Sequence, residues 1–118
     1  MGKRFVLEFG LGVDLHGQDV NEAAKKAVKD AVSQSCLCGL SEVLGITDID
    51  KEVDICATVA VSRPEEIIPE EIAACLPVGR VTVKAVKGGM RVSGMYFPKF
   101  GDSDESVEAA VAFIEVFV

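Results

Sequence analysis

Residues 5–19 read FVLEFGLGVDLHGQD, and this stretch predicts a strand, a loop and the start of a helix, in that order. Large apolar residues alternate along its first part, at Phe5, Leu7, Phe9, Leu11 and Val13. Such period-2 spacing is typical of a strand with one buried face. We therefore expect these side chains to face the core of the protein.

The other face of the same strand carries Glu8, Gly10, Gly12 and Asp14, and His16 follows two residues later. Glycine weakens a strand, and its presence there often marks a bulge or a close approach by backbone or ligand. Because the two glycines leave space, this face predicts one wall of a pocket into which Glu8, Asp14 and His16 point.

A helix is predicted directly after the loop. Asp19, followed three residues later by Glu22, matches an acidic variant of the capping box, and alanine-rich apolar positions then recur at helical spacing. His16, Gly17 and Gln18 therefore precede a helix N-terminus, where free amides and the helix dipole attract anions. We expect Gly17 and Gln18 to contribute to ligand binding.

The motif does not fit a dinucleotide-binding fingerprint. Its spacing is Gly-x-Gly-x-x-x-x-Gly, and the carboxylates of Asp14 and Asp19 would repel a pyrophosphate. One interpretation is an acid–base pair, in which Asp14 orients His16 for proton transfer or for a hydrogen bond to a small polar ligand.

Two other interpretations remain open. Asp14 and His16 could hold a divalent metal with Glu8, but a single histidine without a clear third ligand argues against it, and we expect no metal and no cofactor. In the architectural interpretation, Asp14 caps a turn, the glycines supply positive φ angles, and His16 lies on the surface or in an interface.

The motif resembles that of an uncharacterised family of conserved hypothetical proteins, which occurs in bacteria and, behind a longer N-terminal extension, in plants. Here the family pattern Gly-x-Gly-x-Asp-x-His-Gly falls on Gly10, Gly12, Asp14, His16 and Gly17. The similarity covers nearly the whole chain, although Cys-Leu-Cys at 36–38 stands where an Asn-Leu-Pro-like turn would be more typical. The resemblance implies that the motif is a site, and it implies no reaction because none is assigned to the family.

Composition narrows the class of protein. A chain of 118 residues predicts one domain, 1–118. Hydrophobic residues make up 49% of it, which is a high share for a small monomer, so we expect a homo-oligomer whose interfaces bury the additional apolar side chains. A net charge of −7 and the lack of a basic patch argue against nucleic acid as a partner. Without a signal peptide or a transmembrane segment, and with four cysteines outside zinc or redox spacing, the chain is expected to be cytoplasmic, reduced and not membrane-bound.

The rest of the chain predicts four more strands and one short helix. Strands are expected at 53–61, 80–87, 90–95 and 107–118, with a helix at 69–76. Gly88-Gly89 predicts a hairpin turn between the third and fourth strands. The last strand is apolar on both faces and should be central or lie in an interface.

The predicted order β-α-β-α-β-β-β indicates the α/β (α+β) class. We expect a two-layer sandwich, with a mixed sheet of about five strands, two helices on one face and another subunit on the other. The expected function is a small-polar-metabolite or anion site at the motif, with acid–base catalysis by His16 and Asp14. The alternative is a non-catalytic structural or regulatory assembly module in which the motif is architectural.

Overall fold

The polypeptide forms a mixed sheet with helices on one face, as expected for a two-layer α/β sandwich. A computed structural model describes residues 2–118. Its elements, in chain order, are β1 (Arg4–Asp14), α1 (Val20–Ser33), α2 (Cys38–Glu42), α3 (Ile49–Glu52), β2 (Asp54–Val61), α4 (Pro69–Ala73), β3 (Arg80–Lys87), β4 (Met90–Ser93) and β5 (Ser106–Phe117). The predicted strands are confirmed, and the polar segment before β2 contains the single turn of α3.

The strand β5 lies in the middle of the sheet. The strand order is β1-β5-β2-β3, and β4 also pairs with β5. β5 is antiparallel to β1 along nearly its whole length, and on its other side it pairs first with β4 and then with β2. Because β2 and β3 are parallel, the sheet is mixed. The expected central position of the last strand is therefore confirmed.

The prediction of a hairpin at Gly88-Gly89 is wrong. β4 continues in the direction of β3 and crosses the end of β2 to pair with β5. Gly88 donates its N–H to Val61 O at 2.9 Å, and Gly89 has a φ of 64° with Ala109 O so close that no side chain would fit. The two glycines serve this close crossing between strands rather than a reversal of the chain.

The buried face of β1 is the opposite of the one expected. Phe5, Leu7, Phe9 and Leu11 are 41–58% exposed, whereas alternate residues from Gly10 onward lie beneath α1. The reason is the close approach of that helix, whose buried stripe is mostly alanine. A Cβ on Gly10 would lie only 2.9 Å from Ala31 Cα, so larger residues cannot occupy this face. Period-2 spacing identified the strand correctly but not the face that meets the helix.

The core fills the space between α1 and the helix-facing side of β5 and β2. Its fully buried members include small and β-branched residues: Ala23, Ala24, Ala27, Val28, Ala57, Val59, Ala110 and Ala112. Such small side chains let the helix lie close to the sheet. Across residues 2–118, no helix combines the length and the apolar character needed to cross a membrane.

Candidate functional site

A tight loop at residues 15–19 joins β1 to α1. Gly17 has a φ of 94° and Gln18 a φ of 51°, which makes Gln18 the one non-glycine residue with positive φ in the described chain. The predicted N-cap is confirmed, because the side chain of Asp19 accepts a hydrogen bond from Asn21 N at 2.8 Å. The loop therefore turns the chain through two consecutive residues with positive φ before the helix begins.

The partner of His16 is Asp102, not Asp14. His16 Nδ1 lies 2.9 and 3.0 Å from the two carboxylate oxygens of Asp102. The Asp102 side chain is fully buried, whereas the His16 side chain is 37% exposed. A carboxylate beside Nδ1 favours the tautomer in which Nδ1 carries the proton, which leaves Nε2 as a hydrogen-bond acceptor in the neutral ring. This arrangement orients a half-exposed histidine through a buried carboxylate.

Asp102 accepts hydrogen bonds from four groups. Besides His16, they are Phe97 N at 2.8 Å, Gly17 N at 3.1 Å and Gln18 Nε2 at 3.2 Å. Burial by itself raises the pKa of Asp102, but these hydrogen bonds, the one from Phe97 N first, outweigh it and lower the pKa to about 2. The carboxylate is therefore ionised at neutral pH and holds the loop around residue 97 against the motif.

Gln18 is a second link between the motif and that loop. Its side chain is buried and donates to Ser106 O at 3.0 Å as well as to Asp102. Its Oε1 accepts from Ser103 N at 2.8 Å. These bonds satisfy the amide within the protein and hold Gln18 in its positive-φ conformation. The side chain predicted to bind a ligand is thus engaged in the fold.

Asp14 adopts the turn-capping role of the architectural interpretation. It is buried at the end of β1, and its Oδ2 accepts from Asp19 N at 3.0 Å. Three amides of the motif loop and the first turn of α1, in the region that we expected to be free for an anion, are occupied: Gly17 N bonds to Asp102, Asp19 N to Asp14, and Asn21 N to Asp19. Three carboxylates thus take the positions that an anionic ligand would need.

Two phenylalanines flank the histidine ring. The ring centroid of Phe100 is 5.0 Å from that of His16, and the centroid of Phe97 is 6.3 Å away in an edge arrangement. Phe100 is 54% exposed, and the Lys99 ammonium lies 5.2 Å from its ring centroid. The exposed part of His16 therefore borders an aromatic surface suited to a planar ligand.

Gly10, Gly12 and Glu8 do not join His16 in a pocket. Both glycines lie against the backbone of α1, so closely that a Cβ at either position would overlap it. Glu8 precedes Asp14 by six residues, or about 20 Å along an extended strand. It accepts a 2.5 Å hydrogen bond from Ser35 and lines a mostly apolar cavity of about 100 Å³. That volume is well below the roughly 300–1,000 Å³ of ligand pockets.

A buried charged cluster lies beside the motif loop. Glu108, on β5, is buried and accepts a hydrogen bond from Ser62, while its second carboxylate oxygen lies 3.9 Å from Arg91 and 4.0 Å from Arg63. Arg63 also donates to Gln18 O at 2.7 Å. The two guanidinium groups compensate the buried charge and connect β2, β4 and β5 to the motif loop.

Metal-binding geometry is not found in the part of the chain described, residues 2–118, where no cluster of three or more His, Cys, Asp or Glu side chains is placed to hold an ion. The four cysteines are free thiols. The candidate-site residues that sequence reasoning missed are Asp102, Phe97 and Phe100. They lie more than 80 residues from His16, and no local spacing relates them to the motif.

A family model for conserved hypothetical proteins, Lin0512_fam, matches residues 4–116. The chain belongs to this family. The membership expected from the sequence is thereby confirmed. The chain is also similar to a solved structure, an FtsZ-like protein of unknown function from Nostoc punctiforme, with 38% sequence identity and a TM-score of 0.87. That similarity covers 97% of this chain and 93% of the other. No curated protein matches the sequence.

Proposed function

We propose that this chain is a homo-oligomeric protein that binds a small polar ligand at His16, and that His16, oriented by Asp102, is its hydrogen-bonding and proton-transfer group. The observation that carries the proposal is a half-exposed imidazole whose Nδ1 is held by a fully buried carboxylate. A cytoplasmic location, expected from the net charge of −7, belongs to the same proposal.

The chemistry available to this pair is acid–base chemistry. In the neutral ring, Nε2 can accept a proton from a ligand while Nδ1–H remains bonded to Asp102. The resulting imidazolium is stabilised by the adjacent carboxylate, which is ionised because its pKa is about 2. Asp102 thus performs the orienting role first assigned to Asp14.

Charge and shape narrow the class of ligand. Asp14, Asp19 and Asp102 already accept hydrogen bonds from three amides that an anion at the motif loop would need. The exposed ring of Phe100 beside His16 offers a surface for stacking. A neutral heterocycle with a ring N–H, which can donate to Nε2 and stack on the phenylalanine, fits both features.

A second candidate is the assembly module in which the motif is architectural. It is favoured by one specific observation: Gly10 and Gly12 lie against the α1 backbone, so part of the motif serves helix packing. In that case His16 serves only to fasten the loop around Asp102 to the rest of the fold.

The test uses the fact that His16 is the only histidine in the chain, so its ring signals need no assignment. The protein is titrated with uracil, a neutral heterocycle, and separately with acetate, while histidine ring nitrogen shifts are recorded by NMR. We expect a saturable shift of Nε2 with uracil and none with acetate. For the His16→Gln variant, uracil binding is measured by saturation-transfer NMR, and we expect the binding to be lost.

Two outcomes would contradict the ligand proposal. The first is the absence of any saturable shift with neutral heterocycles at millimolar concentration. The second is uracil binding that persists unchanged in His16→Gln. Either result leaves the assembly module as the better account of the motif.

A further inference from the structure

One face of the sheet carries no helix among residues 2–118. We call it the open sheet face; its apolar members are Leu7, Phe9 and Leu11 of β1, Val107, Ala109, Val111, Phe113 and Phe117 of β5, and Ala60, Val86, Met90 and Val92 of the neighbouring strands. We propose that a second copy of this chain packs face to face on it. This inference rests on the homo-oligomer of the proposed function and names its interface.

The size of the open sheet face matches what a stable dimer needs. β5 has 12 residues, so the face is about 40 Å long, and four adjacent strands make it roughly 14–19 Å wide. Its flat projection is therefore about 600–750 Å², close to the roughly 800 Å² per partner of a standard interface. Its apolar part, mainly on β1, β5 and β4, is a contiguous patch of the kind that marks an interaction site on a soluble protein.

The charges on the open sheet face lie mostly outside its apolar centre and are largely paired. Glu115 bonds to Arg4 at 2.9 Å, and Asp54 bonds to Arg80 at 2.7 Å, at the end of the sheet where β5 finishes. Lys84, on β3, is the remaining charge on this face. Towards the middle, Phe9 stacks on Phe113 at a centroid distance of 4.9 Å. An apolar centre with paired charges at one margin is the usual anatomy of a protein interface.

The edges of the sheet are less suited than its face to bind a second copy. Along β1, side chains of α1 already occupy outward backbone groups: Asp30 accepts from Leu11 N at 2.9 Å, and Gln34 donates to Phe9 O at 3.1 Å. The outer strand β3 carries Lys84 and Lys87, whose like charges oppose pairing with another β3. Face-to-face packing, as in a β-sandwich with sheets about 10 Å apart, avoids both obstacles.

The test compares the oligomeric state of two matched variants by sedimentation velocity across micromolar concentrations. The wild-type chain should sediment at twice its mass of 12.5 kDa or as a higher even-numbered assembly. Leu11→Glu places a charge in the interface and should weaken association at least about a hundredfold. Val43→Glu introduces the same charge directly after α2, at a residue 79% exposed, and should leave association unchanged.

A second measurement tests the interface without relying on the charged variant, which could misfold. The chain contains no tryptophan, so Phe9→Trp supplies a single fluorophore on the open sheet face, and Val43→Trp supplies one in the helix layer. We expect the emission of Phe9→Trp to shift to shorter wavelength as concentration rises, while that of Val43→Trp stays constant.

The proposal is overturned if the wild type is monomeric at every concentration, if folded Leu11→Glu associates as tightly as the wild type, or if Phe9→Trp remains solvent-exposed in the oligomer. A monomer that co-sediments with phosphatidylcholine vesicles would also overturn it and assign the face to a lipid surface. Ligand binding is measured separately, at His16. A monomer that still binds uracil would contradict the dimer interface alone, and a dimer that does not bind uracil would contradict the ligand site alone.

Discussion

Replacing Gly12 by alanine should strongly destabilise the fold, because the backbone of α1 occupies the space of the new methyl group. The added Cβ would overlap Ala23 O and Ala27 N and lie 2.8 Å from the carbonyl carbon of Lys26. To restore ordinary contact, α1 must move away from the sheet by about 1 Å. Overpacking of this kind costs about 1–3 kcal/mol, and a clash with backbone on several sides falls at the upper end.

A loss of about 3 kcal/mol is a large fraction of the free energy of unfolding, which is expected to be roughly 6–18 kcal/mol for a domain of 118 residues. We expect the melting temperature of Gly12→Ala to fall by about 12 °C, measured by circular dichroism, with the same loss seen in urea unfolding. Gly39→Ala is the matched control, because its Cβ would meet Phe5 Cζ at 3.4 Å and add helix propensity to α2. The control should be neutral or slightly stabilising.

A melting temperature of Gly12→Ala within about 3 °C of the wild type would refute the reasoning. It would mean that the space above the glycine is open, as a pocket wall would require. The same outcome would return Gly12 to the list of candidate ligand-binding residues.

The other predictions concern the motif and its contacts. Gln18→Ala should cost about 2–4 kcal/mol in urea unfolding, because four hydrogen bonds of a buried amide are lost, whereas exposed Gln34→Ala should cost less than about 1 kcal/mol. His16→Ala should cost only about 1 kcal/mol, since three other groups still donate to Asp102; a loss above about 3 kcal/mol would support the architectural alternative. The lowered pKa of Asp102 contributes stability that is complete above about pH 4 and is lost as the pH falls through about 2, so Asp102→Asn should flatten that part of the acid unfolding profile. Asp104, whose pKa is also lowered, through hydrogen bonds from Ser106, should retain its own acid sensitivity in that variant. Elemental analysis of protein purified without chelator should find no stoichiometric transition metal.

Local patterns predicted the elements of the fold well. Alternation in residues 5–13 located β1, and Asp19 located the start of α1, because strand periodicity and helix capping are properties of neighbouring residues. The central position of β5 followed from apolar residues on both of its faces. These predictions needed no knowledge of distant contacts.

The failures have a common physical cause, since each depended on which distant segment meets which face. The alternation in β1 could not show that α1 lies on the glycine side, where Gly10 and Gly12 are needed for close approach. The turn propensity of Gly88-Gly89 could not distinguish a reversal from a crossing over β2. His16 was identified as a candidate, but its partner Asp102 comes from a loop 86 residues away.

The placement of β5 also determines when the sheet can form. β1, β2 and β4 each pair with β5, and β1 pairs with no other strand in the described residues. During synthesis, β1 therefore cannot pair with another strand until residues 106–117, more than 90 residues later in the chain, have been made. Such non-local pairing gives a high contact order and slow folding. Until then α1 can cover one face of β1, but the apolar side chains of the other face stay exposed, so the nascent chain is expected to be prone to aggregation during that interval.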